Sequence, residues 1–266
     1  MINNLKVGAD PELFFEKDGK PFSVEGLIKG TKENPRELNK KGCALQEDNV
    51  MAEFNIPECD NKNDFNENIE YALDNLQTIA LLNDCELLIE PSANFENKFL
   101  KSKQSLEFGC SPDNNAYTFS QNDRVEILEN VRVAGGHIHI GYDNPSEDLN
   151  LAIVRTLDIF LGLPSILLDK DTVRRKYYGH AGSYRNKSYG VEYRTLSNFW
   201  IKNKENREWV FDQIKKAIDF INSGAIRNIS EDLWNKIELA INDNDASLSL
   251  SLENEINNLI KVQVNE

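Results

Sequence analysis

An α+β domain with a mainly antiparallel sheet and helices packed on one face is what the sequence predicts. Strand-like runs and helix-like stripes both occur, but they do not alternate regularly as βαβ units would. Several strand-like runs place polar or charged residues at every second position, the pattern of a sheet with two unlike faces. The chain beyond about residue 202 reads as helix almost throughout.

Taken in order, strands are expected at 6–15, 50–56, 85–89, 132–141 and 189–196. The stretch 17–42, rich in Gly, Pro, Lys and Asn, reads as loops with a short hairpin. A helix is expected over 64–82, capped by Asp64, with Ile69, Leu73, Leu76 and Ala80 as its apolar stripe. The next runs over 146–162, with Ser146 as N-cap, Glu147 and Asp148 at the positive end of the dipole, and Ile153, Leu157 and Leu161 inward. Pro164 marks its exit, and the run Pro164 to Leu168 reads as core filling. A third helix covers 205–223, with Val210, Ile214, Ala217 and Ile221 inward and Gly224 at its C′ position. A shorter helix follows Ser230, and 249–264 is helical too. The expectation is one catalytic domain over 1–266, a core over 1–202 with a helical part over 203–266 packed on it.

Composition narrows the function. The 266 residues are 40% hydrophobic and 28% charged, as a globular chain requires. No apolar run reaches the roughly 18 residues of a membrane span. The opening residues lack a secretion signal, so a cytoplasmic protein without a membrane partner is expected. A net charge of −14 disfavours nucleic acid as a partner. Cys43, Cys59, Cys85 and Cys110 form no C-x-x-C pair and read as reduced thiols.

The chemistry lies in residues spaced by two. Asp10 and Glu12 in GADPELFF, His137 and His139 in AGGHIHIG, and Glu192 and Arg194 in YGVEYRTL each share one strand face, as do Glu53 and Asn55 in MAEFNIP. A wet sheet face would also alternate. However, two of the three histidines on one strand face is a sharper pattern than solvation demands. Asp10, Glu12, Glu53 and Glu192 gathered on one face would repel one another unless a divalent cation joined them, and carboxylates suit Mg²⁺ or Mn²⁺. Asp48, five residues from Glu53, would point to the opposite face of a regular strand and joins the acids only if a bulge intervenes. A second constellation is basic. Arg174, Arg175, Lys176, Arg185, Lys187 and Arg194 fall close together in a very acidic chain, and arginine forks match phosphate oxygens. Neither a Walker-type phosphate loop nor a G-x-G-x-x-G turn is present.

In this order the motifs GADPELFF, DNVMAEFNIP, AGGHIHIG, LDIFLGLPS, RRKYYGHAGSYR and YGVEYRTLSNFW resemble the phage-type carboxylate–amine ligases (COOH.NH2 ligase, type 2) of the glutamine synthetase and glutamate–cysteine ligase superfamily. The resemblance spans roughly 5–200. It implies a glutamine-synthetase-like sheet whose concave face holds metals and ATP. By that likeness Asp10, Glu12, Glu53, His137 and Glu192 are metal ligands. His139 lies near the nucleotide, and Arg175, Arg185 and Arg194 hold phosphates, with Arg174 a less secure neighbour. Glu192 and the three arginines then carry catalysis. The implied reaction is ATP-dependent amide formation through an acyl phosphate, joining small-molecule or peptide carboxylates and amines with Mg²⁺, or Mn²⁺, as cofactor. Asp10 stands where the superfamily has Glu, and Pro11 confines its segment to a strand start or a sheet edge. Rival readings are a guanidino-type phosphotransferase on the same sheet, a metallohydrolase built on His137 and His139, and a binding module without catalysis.

Overall fold

Pro11 splits the run 6–15 into two strands, β1 (Lys6–Ala9) and β2 (Glu12–Lys17). In the computed structural model, which describes residues 1–106, 113–123 and 129–264, both lie along one long partner. Cys110 lies outside the described residues; Cys43, Cys59 and Cys85 are free thiols, as expected. Asp18 and Gly19, both at positive φ, turn β2 into β3 (Lys20–Phe22), the short hairpin expected within 17–42. Then follow β4 (Arg36–Glu37), β5 (Ala44–Asp48), the long strand β6 (Met51–Cys59) and β7 (Glu86–Leu88). Next are β8 (Ser92–Asn94), β9 (Asn114–Asn115), β10 (Val131–Val133), β11 (Ile138–Gly141), β12 (Ser183–Lys187) and β13 (Gly190–Tyr193).

Among the described residues eleven strands make one sheet, with backbone order β3-β2-β6-β1-β11-β13-β12-β9 and β5, β4 and β7 branching from it. Its pairings are antiparallel. The run 132–141 is not one strand as expected. Gly135 and Gly136 bend it, Gly136 N–H donates to Leu196 O (3.0 Å), and β10 pairs with β8 in a separate two-stranded sheet. Pro11 does precede a strand, but in the sheet interior rather than at an edge. Phe54 donates to Pro11 O on one side, while Asp10 and Glu12 donate to His137 O and Gly135 O on the other.

The helices are α1 (Lys62–Leu81), α2 (Lys103–Leu106), α3 (Glu147–Leu157), α4 (Leu163–Leu168), α5 (Lys204–Asn222), α6 (Glu231–Asn242) and α7 (Ala246–Val264). The cap of α1 is Asn61, whose side chain accepts from Asp64 N–H; Asp64 itself lies in the first turn. Ser146 and Ser230 cap α3 and α6 as their sequence positions predict. Packing on the sheet follows the strand alternation. Val7, Ala9, Ile138, Ile140, Val191 and Tyr193 form one buried core with Ile69, Leu76, Ile153, Leu157, Ile214 and Ala217 of α1, α3 and α5. A second apolar cluster joins α4, α6 and α7 through Leu163, Leu233, Ile237, Leu252 and Ile256.

Pro164 does not end the second helix. A π-type turn, Asp158–Gly162, intervenes, and Leu163 N–H reaches back five residues to Asp158 O. The proline therefore falls in the first turn of a new helical segment, where its missing N–H costs nothing. Of Pro164 to Leu168, Ile166 enters the core, but Leu167 and Leu168 are exposed. The stretch Glu147–Leu168 is long and apolar enough to cross a membrane, yet 61% of its apolar window is buried inside the protein.

The π-type turn aims Asp158 inward. Fully buried, its carboxylate accepts from Gly182 N–H (2.6 Å), Tyr193 OH (2.7 Å) and Thr195 OH (3.2 Å). Burial outweighs those bonds and raises its pKa to about 7. A carboxyl whose folded pKa exceeds its unfolded value contributes stability at low pH that is lost as pH rises through the folded value. Asp158→Asn is therefore expected to gain melting temperature relative to wild type as pH climbs from about 4, the unfolded value, to about 7. Paired thermal melts across that range check it.

Candidate active site

The face of the sheet opposite α1, α3 and α5 carries a row of aligned residues. Gly8 on β1 stands opposite His139 on β11, His139 opposite Glu192 on β13, and Glu192 opposite Arg185 on β12. A parallel row is Glu12 on β2, Glu53 on β6 and Gln46 on β5. On β1, β2, β6, β11 and β13 the residues one step along point into the core, as Ala9, Leu13, Phe54, Ile140 and Tyr193 do, so side-chain alternation gathers these polar groups. Of these, Glu12, Gln46, Glu53, Arg185 and Glu192 line a cleft of about 420 Å³.

Asp10 and Glu12 part company at Pro11. Asp10 joins the histidines: its Oδ1 lies 3.1 Å from His139 Nε2 and 3.6 Å from His137 Nδ1, which is itself 3.9 Å from Glu192 Oε1. Ligand atoms of Asp10, His139 and Glu192 lie within 4.8 Å of one another. Tyr189 OH meets His139 Nδ1 at 3.0 Å and its ring stacks on the imidazole, fixing that ring from behind. Glu12 turns to Asp48 and Glu53, again within 4.8 Å, and all three are buried. Asp48 arrives by a route the sequence reading did not foresee. No bulge is needed, because 44–59 is a hairpin turning at Asn49 (φ 59°), which places Asp48 diagonally across from Glu53 on the same face.

The two clusters differ electrically. Burial would raise the Asp10 carboxyl, but the imidazoles of His139 and His137 outweigh it and hold it far below the usual carboxylate range. Glu192 is drawn down to about 2: burial opposes this, and Arg194 and His137 prevail. Glu53, in contrast, is pushed well up by burial and then by Asp10, Glu12 and Asp48. Glu12 is raised by burial and by Asp48 as well, against the pull of His137 and the Gly135 N–H that donates to it at 2.6 Å. Glu53 Oε2 and His137 Nε2 are buried without a hydrogen-bond partner. Crowded carboxylates with an orphaned oxygen are what a hard divalent cation relieves.

The basic residues separate on folding. Arg185 lines the cleft, with its Nε 3.3 Å from Asp113 Oδ1. Arg194 also lines it but is 2% exposed and tightly held: it contacts Glu192, His137 Nδ1 (3.1 Å), Tyr178 OH and Asp113 Oδ1 (2.8 Å). Arg175 does not line the cleft. It is buried behind the sheet residues, donating to Ser165 Oγ at 3.1 Å, because the short turn Arg174–Lys176 faces α4. Arg174 grips the carbonyls of Thr195 (3.0 Å) and Arg194 (3.4 Å), so it braces the strand end rather than reaching the cleft. Sequence reading missed Asp113, Tyr178, Tyr189 and Lys32, which carry no spacing signal. Lys32 joins by an ion pair to Asp48 (2.8 Å), and Asp113 links two arginines from a polar loop.

Gly135 shows how tightly the backbone approaches. A Cβ there would overlap the His137 imidazole. Gly135→Ala is therefore expected to displace that ring, to lower activity about 10- to 100-fold if the ring serves a metal, and to cost about 1–3 kcal/mol of stability by overpacking. Turnover beside a thermal melt checks this.

Residues 130–219, the segment holding the His137–His139 strand, the arginine turn and the Glu192–Arg194 strand, match the family model described as Phage phiEco32-like COOH.NH2 ligase-type 2. The match upholds the family resemblance. It supports a carboxylate–amine ligase. No curated protein matches the chain.

Proposed function

We propose that this carboxylate–amine ligase uses ATP and divalent metal on a glutamine-synthetase-like sheet face, forming an amide through an acyl phosphate. The observation that carries the reading is the pair of ligand clusters, Asp10/His137/His139/Glu192 and Glu12/Asp48/Glu53, whose members except His139 line one cleft together with Arg185 and Arg194. Asp10, His139 and Glu192, with His137 beside them, would hold one Mg²⁺ or Mn²⁺, and Glu12, Asp48 and Glu53 a second; bound there, the metals would supply charge neutralisation on phosphate oxygens. Arg185, half-open to the cleft, would contact the transferring phosphoryl group, and Arg194 would hold Glu192 and His137 in line while presenting charge from behind. A substrate carboxylate oxygen bonds to the γ-phosphorus as ADP leaves. The amine nitrogen then bonds to the acyl carbon, releasing phosphate and one proton. Arg175, assigned to phosphate by resemblance, takes no part; it is a brace beneath α4.

The wall away from the arginines is built from Glu37, Ala44, Gln46 and Asn55, with Pro35 and Gly42, and has no aromatic or long aliphatic side chain among the described residues. Small polar substrates such as amino acids or peptide ends suit it; bulky apolar acids do not. The protein would act in the cytoplasm, without nucleic acid or membrane as partner. As for domains, we read 1–202 and 203–266 as one catalytic unit.

The test is phosphate release from ATP with Mg²⁺ across pools of amino acids, peptides and amines, with amide formation read by mass. ADP and phosphate appearing only with an acid–amine pair, together with an amide, is the expected result. A phosphorylated product without an amide would indicate a phosphotransferase. Product formation without ATP would sink the reading.

A further inference from the structure

We propose that Lys187 competes with a divalent cation for the Glu192 carboxylate, and that its ammonium swings into the cleft when the cation wins. The inference rests on the metal reading given above. Glu192 is 1% exposed, and its two oxygens have separate claimants: Arg194 at Oε1 and Lys187 Nζ at Oε2, 2.6 Å away. The arginine cannot leave. It is 2% exposed and anchored to Tyr178 and to Asp113. The lysine can, because its side chain is 33% exposed and lines the cleft.

Strand register explains the arrangement. Arg185 stands directly opposite Glu192, and Lys187 stands opposite Gly190, two residues on and on the same face. Lys187 thus reaches Glu192 only diagonally, a distance that needs a long flexible side chain. Its direct partner is a glycine, so no cross-strand side chain stands between it and Glu192 in the register. An ammonium is a single mobile point charge, unlike a forked guanidinium, and can be exchanged for a metal at one oxygen. Released, it faces the same cleft as Arg185, where anionic oxygens of a nucleotide would be drawn. Metal entry and phosphate capture are then coupled through one side chain.

The experiment is Mn²⁺ titration of the full chain without nucleotide, read by the spin-resonance signal of free Mn²⁺, for wild type, Lys187→Met and Lys187→Arg. Removing the competing charge is expected to tighten Mn²⁺ binding about tenfold in Lys187→Met, the equivalent of one pKa unit of interaction. Lys187→Arg keeps the charge and stays within a few-fold of wild type. In the wild type, Mn²⁺ also raises labelling of Lys187 by an amine-acylating reagent, read by peptide mass, which depends on no variant folding. Wild type that binds no Mn²⁺ would remove the metal reading itself. Wild type that binds Mn²⁺, with Lys187→Met no tighter and Lys187 labelling unmoved, would overturn the Lys187 inference alone.

Discussion

On the proposed ligase reaction, Glu192→Gln is expected to lower ATP-dependent turnover about 100- to 1,000-fold, the cost of losing one preorganised charge-stabilising group. Glu192 is where the site converges: it lies opposite His139 and Arg185 in register, contacts Arg194 and Lys187, and sits 3.9 Å from His137 Nδ1. Glutamine keeps the volume and an acceptor oxygen for Arg194, but it removes the negative charge that a metal or the lysine requires. Glu192→Ala is the poorer variant, because it deletes one of the two buried carboxylates paired with Arg194, Asp113 being the other, and so disturbs packing as well as charge. Turnover, Mn²⁺ binding and a melting curve on the Gln variant together give the answer. Near-normal turnover would remove Glu192 from the mechanism.

The sheet face was legible in the sequence because strand alternation is a local rule. Spacing puts His139 with His137, Glu192 with Arg194 and Glu53 with Asn55, each pair within its own strand, and only the register aligns His139 with Glu192. What spacing could not give was the grouping. Pro11 sends Asp10 and Glu12 to different clusters, and a proline between two paired residues reads the same either way until the partners on both sides are known. Counting along one strand puts Asp48 on the face opposite Glu53, whereas a turn at Asn49 reverses the chain between them. Spacing arguments hold within an element and fail across an unseen turn.

The arginines failed for a related reason. Arg174, Arg175 and Arg185 are close in sequence, yet only Arg185 lies on a strand of the sheet and reaches the cleft. Charge density along the chain says that basic groups are needed, but not which carry ligand and which brace backbone. Arg174 on two carbonyls and Arg175 on Ser165 are bracing contacts, and burial lowers the pKa of both, to about 10 for Arg174. Helix starts are legible where a cap side chain announces them, as at Ser146 and Ser230. Pro164 misled because a π-type turn shifts the hydrogen-bond register by one, and no residue signals that in advance.

Trp200→Ala is expected to cost about 3–5 kcal/mol, the usual range for an aromatic removed from a core. That corresponds to a melting temperature lower by roughly 6–20 °C for a chain of this size. Trp200 is fully buried, stacks on Phe65 of α1 at 5.8 Å, and donates its Nε1–H to Gly136 O at 3.1 Å. The second contact ties stability to the site. Gly136 lies in the bend that separates β10 from β11, directly before His137, and a Cβ on it would overlap Trp200 and Ser197 O. The indole is thus the floor on which the His137 backbone rests. Trp200→Phe separates the two roles. It keeps most of the aromatic bulk against Phe65 but leaves the Gly136 carbonyl without its donor, an omission worth about 1–3 kcal/mol when buried. If the bend depends on that hydrogen bond, the Phe variant loses more in Mn²⁺ affinity than its melting temperature alone accounts for. If Mn²⁺ affinity follows stability in both variants, Trp200 acts on the fold and not on the placement of His137.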